Sequence, residues 1–225
     1  MWSQEANSSY SFEELLTECH PKPQPATFQS GVDYLNALWE HGPSKMLFVR
    51  VDLGIRVEYQ SSMHFIEFCD YFKRMIANRR SKPSIFRYYV GMIWRLEWTS
   101  DKSYHYHCLF IFDGARVRNA VYYGDAIGDY WMKNITEGIG TYWNSNREAD
   151  NFPESGIGMI DRRDIRKRHI LITRVLAYLT KPDFEIREAI LEDAIGLGCP
   201  HQARHVRTFG TSNLALHRFT VTQRS

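Results

Sequence analysis

The clearest signal in the chain is a strand-like alternation that begins near residue 46. In MLFVRVDLGI (46–55), Leu47, Val49, Val51 and Leu53 fall on one face, and Phe48, Arg50 and Asp52 on the other. Upstream, residues 1–40 read as an N-terminal extension. SFEELLTECH forms one short helix there, and PKPQPATFQS is a proline-broken connector. Downstream, Phe65, Cys69, Phe72 and Ile76 recur at helical spacing, with Ser61 or Ser62 available as the cap. A β-rich stretch follows, ending with Trp94, Leu96 and Trp98 on one side and Arg95 and Glu97 on the other. SDKS (100–103) reads as a turn, and YHYHCLFIFDG (104–114) as the next strand, closed by Asp113-Gly114.

A helix over about 117–133 presents Tyr123, Ile127, Tyr130 and Trp131 as its apolar stripe. GIGTYWNSN and GIGMID read as glycine-flanked strand pieces. IRKRHILITRVLAYLTK is a last strong helix, stopped at Pro182, whose ring forbids continuation. The tail, 183–225, contains CPHQARH and RTFGTSN and shows no clear period. This order of strands and helices predicts an α+β protein with a ferredoxin-like antiparallel sheet and helices packed on one face. One domain over 41–182 would then lie between the extensions 1–40 and 183–225.

Composition narrows the class. With 225 residues, 44% hydrophobic and 24% charged, the chain is a globular protein of one or two domains rather than a disordered one. Its four cysteines lie far apart without a CxxC pair, which fits a reducing compartment and no disulfide framework. No apolar run approaches the ~18 residues of a membrane helix, and no basic-then-apolar leader opens the sequence. A cytoplasmic protein without a membrane partner is expected. Lys plus Arg number 28 against 26 Asp plus Glu, so a histone-like, purely electrostatic grip on DNA is not expected. Basic residues nevertheless gather at Arg79-Arg80 and in DRRDIRKRH (161–169). Aromatic residues, 14% of the chain, offer stacking platforms to unpaired bases.

Three predicted strands carry ionisable residues on one face: Arg50 and Asp52, Arg95 and Glu97, His105 and His107. Histidines at i and i+2 of a strand project to the same side, so both imidazoles can reach one metal ion. Glu97 joins them only if the intervening loop has odd length. A loop of three residues or one of five places it opposite His107 or His105, and a two-residue loop turns it away. Two imidazoles and a carboxylate leave coordination positions open for Lewis-acid catalysis. By ligand softness alone the set accepts zinc, manganese or iron, with magnesium less favoured.

A nucleophile candidate stands in YLTK. Tyr178 and Lys181 share one helix face, Arg174 extends that stripe, and Leu171, Val175 and Leu179 anchor the helix. Cations on that stripe suit both a phenolate nucleophile and phosphoryl oxygens. Tyr130 and Lys133 have the same spacing, but Tyr130 belongs to an apolar stripe and reads as structural. Two other functions compete: a non-catalytic single-strand-binding module, and a zinc protein using Cys199, His201 and His205.

Taken together, VRVDL, Glu97 ahead of His105-Tyr106-His107, and Tyr178-Leu-Thr-Lys181 resemble the HUH endonuclease superfamily. WRLEW, YHYHCLFIFDG, GDYWMKNIT, GIGMID, YLTK and RTFG are most similar to replication initiators of filamentous phages (inoviruses) and bacterial prophages. The resemblance implies a nickase and ligase that starts rolling-circle replication through a 5′-phosphotyrosine link, with relaxases and transposases using the same chemistry. It assigns Tyr178 and Lys181 to catalysis, and Glu97, His105 and His107 to a divalent ion, manganese or magnesium ahead of zinc. Arg174, Arg166, Lys167, Arg168, Arg50 and Arg95 become DNA contacts. Single-stranded or origin DNA is the implied partner, in the cytoplasm of a bacterial host. No GxxxxGK[ST] motif is present, so helicase and polymerase would come from that host.

Overall fold

In the computed structural model, which describes residues 11–151 and 155–212, the alternating segments become a six-stranded antiparallel sheet. Its three long strands are β1 (Lys45–Ile55), β2 (Tyr89–Thr99) and β3 (Ser103–Asp113). Three short strands complete it: β4 (Gly140–Asn144), β5 (Gly158–Asp161) and β6 (Phe209–Thr211). The order is β4-β1-β3-β2-β6, and β5 pairs with the first residues of β1 while β4 pairs with its last. The class is therefore α+β.

One face of the sheet behaves as the alternation predicts. Leu47, Val49, Val51 and Leu53 join Leu96, Tyr106, Cys108 and Phe110 in one core. That core is covered by α3 (Phe65–Ala77), α4 (Ala120–Tyr130) and α6 (Phe184–Gly196), α6 lying within the tail. Aromatic rings fill it, with Phe72 stacked on Tyr106 at 3.8 Å between centroids. Tyr130 is buried in this core beside Phe86, and Lys133 pairs with Asp129 at the surface.

The opposite face departs from expectation, because helices cover it too. Met46, Phe48, Ile93, Leu109 and Ile111 make half of it apolar, and that half needs a cover. The cover consists of α1 (Phe12–Glu18), α2 (Pro25–His41) and α5 (165–179). From Pro25 onward, the segment that looks like a proline-broken connector is thus the start of a 17-residue helix. Pro25 occupies its first position, where a missing N–H costs nothing, and the Gln24 side chain accepts from Thr27 N–H. Gly31 lets α2 lie against α5, since a Cβ there would meet Leu176 Cδ1 at 2.5 Å.

Two further readings are corrected. The N-cap of α3 is His64 rather than Ser61 or Ser62, and the capping carboxylate comes from α6: Asp193 Oδ2 accepts from Phe65 N–H at 2.6 Å. Within the tail, β6 pairs with β2, Phe209 opposite Arg95, and closes the sheet edge. Residues 1–10 and 213–225 of the expected extensions lie outside the described residues. Among the described residues, no helix is long and apolar enough to cross a membrane.

If α2 is part of the core, truncating it must behave as a core lesion. Leu35, fully buried between the sheet and α5, tests this. Leu35→Ala should cost about 2–5 kcal/mol in urea unfolding, whereas a dispensable extension would lose well under 1 kcal/mol.

Candidate metal centre and facing tyrosine

The strands β2 and β3 meet across a three-residue turn, 100–102, with Thr99 opposite Ser103. The odd loop length that the carboxylate requires is therefore present, and it sets Glu97 opposite His105. The next pair on the same face is Arg95 opposite His107, and β1 brings Asp52 opposite His107 from the other side. All of these except Asp52 are buried, in the part of the sheet face that lies beyond the apolar cover.

Each imidazole is oriented by a second group. His105 Nδ1 lies 2.9 Å from the Ser103 carbonyl, and His107 Nδ1 lies 2.7 Å from Asp52 Oδ1. Both Nε2 atoms then point inward, and Glu97 Oε2 sits 3.4 Å from that of His107 and 3.9 Å from that of His105. One ligand atom from each of the three residues lies within 4.8 Å of the other two. Histidines whose second nitrogen faces a carboxylate or carbonyl are the usual arrangement at metal sites, so this donor set fits a divalent ion. Among the described residues it is the sole such grouping of three or more, and Cys199, His201 and His205 do not form one.

Charge balance around the trio is tight. Burial by itself would raise the Glu97 carboxyl, but His107, Arg95 and Lys181 outweigh it and hold the group at about 2. Burial would likewise raise Asp52, and His107 and Arg50 bring it below the usual carboxylate value. For His107 burial favours the neutral ring, and the flanking Asp52 and Glu97 carboxylates reverse that. His105, with a carbonyl partner, stays below its ordinary value, chiefly through burial.

Tyr178 closes the site from above. Its hydroxyl is hydrogen-bonded to His107 Nε2 at 3.1 Å, and the two rings meet edge to face. Lys181 Nζ lies 3.0 Å from Glu97 Oε2 and 4.4 Å from the Tyr178 ring centroid. The second cation is Arg50, whose guanidinium carbon lies 4.7 Å from that centroid, in place of the expected Arg174. Residues Leu171–Leu176 of α5 are π-helical, and the wider turn breaks the i, i+4 stripe, leaving Arg174 exposed.

The other expected DNA contacts separate as well. Arg95 is 3% exposed and cannot meet a solvent-borne strand. Its guanidinium instead binds the carbonyls of Leu179, Lys181 and Pro182, and its Nε lies 2.7 Å from Glu97 Oε1. Arg168 packs over the Trp39 ring and donates to the Arg162 carbonyl, while Arg166 and Lys167 lie on the first turns of α5. Asp52 is the member of the candidate site that strand alternation alone could not assign. The pattern put it on the polar face, but its role depends on β1 pairing with β3.

Comparison with known proteins bears on the whole of this arrangement. The family model of the YagK/YfjJ C-terminal domain matches residues 27–190. The chain belongs to that family. The match runs from α2 into α6 and takes in every residue of the trio, together with Asp52, Arg95, Tyr178 and Lys181. Most of α2 thus lies within the matched YagK/YfjJ-type domain. No curated protein and no solved structure matched the chain.

Two substitutions test the site as built. Asp52→Asn should weaken manganese binding by about 10- to 100-fold in titration calorimetry, because His107 loses its orienting carboxylate; unchanged affinity would remove Asp52 from the site. Arg95→Met should cost about 3–5 kcal/mol in urea unfolding, since it strands the buried Glu97 charge. A loss under 1 kcal/mol would show the tether to be idle.

Proposed function

We propose that this protein is a metal-dependent endonuclease of HUH type that nicks single-stranded DNA and starts rolling-circle replication. One observation carries the reading: a helix-borne tyrosine hydroxyl stands 3.1 Å from a nitrogen of a Glu-His-His trio, with a lysine against both. Phosphoryl transfer to a tyrosine needs a nucleophile, a cation for the phosphate oxygens and a group that steadies developing charge, all in one place.

When bound by Glu97, His105 and His107, a divalent ion, manganese or magnesium, supplies Lewis-acid neutralisation of the scissile phosphate. Tyr178 supplies the nucleophile. Its oxygen forms a bond to phosphorus as the bond to the 3′ oxygen breaks, leaving the 5′ side as a phosphotyrosine. In the net reaction the phenol proton ends on the released 3′ oxygen. Lys181 and Arg50 both lie against the Tyr178 ring, so two positive charges flank the place where phosphoryl oxygens would meet the nucleophile. The tyrosyl phosphodiester conserves the energy of the broken bond, so a later 3′-hydroxyl can reverse the step without ATP. In a bacterial cytoplasm the freed 3′-hydroxyl would prime a host polymerase, with unwinding by a host helicase.

The decisive experiment incubates labelled single-stranded origin oligonucleotides with the protein and manganese, then resolves the products under denaturing conditions. A protein–DNA adduct is expected with the wild type. It should fall to background with Tyr178→Phe or with EDTA, while oligonucleotide binding by Tyr178→Phe persists. Binding without any adduct in the wild type would favour a non-catalytic single-strand-binding module.

A further inference from the structure

A cleft of about 430 Å³ opens beside the trio, bordered by Asp52, Gly54, His105, Thr141, Trp143 and Lys102. Its volume lies in the ordinary range of small-ligand pockets. Trp143 stands opposite Asp52 in the β1–β4 pairing and is 57% exposed. Its neighbours on β4 turn the other way. Tyr142 packs on α4 so closely that a Cβ on Gly128 would touch its ring, and Asn144 donates to the Val121 carbonyl. Alternation therefore sets Trp143 and Thr141 on the metal side of the sheet. A large aromatic ring, exposed and outside either core, rises there at the margin of the catalytic candidates.

The floor of the cleft is Gly54. A Cβ at this position would rest 3.6 Å from Thr141 Cγ2 and 3.7 Å from the His105 Cβ, which is ordinary contact. Glycine weakens a strand interior, and here no crowding or left-handed backbone demands it. What the missing side chain does is leave open the space between His105 and Trp143. Lys102, exposed in the β2–β3 turn, adds a cation at the rim.

We propose that this cleft is a nucleobase subsite: one unpaired base of a single DNA strand stacks on Trp143 over Gly54, with Lys102 near the backbone phosphate. This assignment rests on the strand-nicking reading and adds to it the residue that receives the base flanking the trio. Every base offers a π face, so stacking of this kind tolerates sequence. A base still paired within a duplex has no free face to offer, so the subsite selects unpaired DNA.

The test uses the full chain in EDTA, so that binding is read without cleavage, and a fluorescein-labelled pool of random single-stranded oligonucleotides. By anisotropy, Trp143→Ala and Gly54→Val should each weaken binding about 10- to 100-fold. Trp143→Phe should retain most of the affinity. Gly54→Val places a good strand former where space exists, so its thermal midpoint should match or exceed the wild type. Wild-type affinity in a folded Gly54→Val protein would overturn the subsite and leave the nicking reading to its adduct assay. A wild type that binds no strand would overturn both. Weakened binding in both variants, with no Tyr178 adduct in manganese, would uphold the subsite and sink the nicking reading.

Discussion

A buried carboxylate must be compensated, and in this protein the compensation of Glu97 organises the site. Its two oxygens face separate cations: Arg95 at 2.7 Å on one and Lys181 at 3.0 Å on the other. Leaving such a charge unpaired in the interior costs several kcal/mol, so neither cation is free to wander. Arg95 in turn binds three consecutive-turn carbonyls at the end of α5, those of Leu179, Lys181 and Pro182. That of Leu179 is among the carbonyls that a helix C-terminus leaves without partners, and the other two lie just beyond the helix. The chain of contacts from sheet to helix end fixes where Tyr178 stands, since its carbonyl accepts from the N–H of Lys181, one of the residues that Arg95 holds. Arg95 is in this sense a positioning residue, and its burial follows from that duty.

The sheet divides its second face between two tasks. Met46, Phe48, Ile93, Leu109 and Ile111 hold α2 and α5 by apolar burial, worth about 1.5–3 kcal/mol for each large side chain. Farther along the same strands, Arg50, Asp52, Arg95, Glu97, His105 and His107 replace them. A helix laid on the apolar half ends where the polar half begins. That is why the last turn of α5, and no other part of it, overhangs the trio. The π-helical turn at Leu171–Leu176 adjusts the phase, keeping Leu171, Val175 and Leu179 buried while Tyr178 emerges beside the imidazoles.

Much of this was legible from the chain because a strand's period of two is rigid. The split of Leu47, Val49 and Val51 from Phe48, Arg50 and Asp52, and the shared side of His105 and His107, follow from sequence spacing alone. So does the parity condition on the turn, since a slip of one residue would send Glu97 to the other face. What could not be read depends on pairings between distant segments. Asp52 becomes the partner of His107 only because β1 lies beside β3, and Arg50 reaches Tyr178 by the same adjacency. The prolines at 21, 23 and 25 look like breaks, yet Pro25 opens α2, a distinction that depends on where the first helical turn falls. Helices on both faces were hidden because the polar half of each long strand made its apolar half look half-exposed.

The contact between Tyr178 and His107 carries a further consequence for how such a site works. A single nitrogen, His107 Nε2, faces both the phenol and the position where the three ligand atoms converge. An imidazole nitrogen has one lone pair, so it serves a cation or a hydroxyl proton but not both at once. Lys181 pairs with Glu97 Oε2, an oxygen that a cation would also approach, and a carboxylate oxygen has lone pairs enough for both. A cation on the trio would therefore release the tyrosine hydroxyl from His107, and the Lys181 ammonium already lies against that tyrosine. Both would then stand within reach of a phosphate drawn to the same cation. The hydrogen bonds that close the site thus hold the nucleophile and its cationic neighbour beside the place where phosphate chemistry would need them.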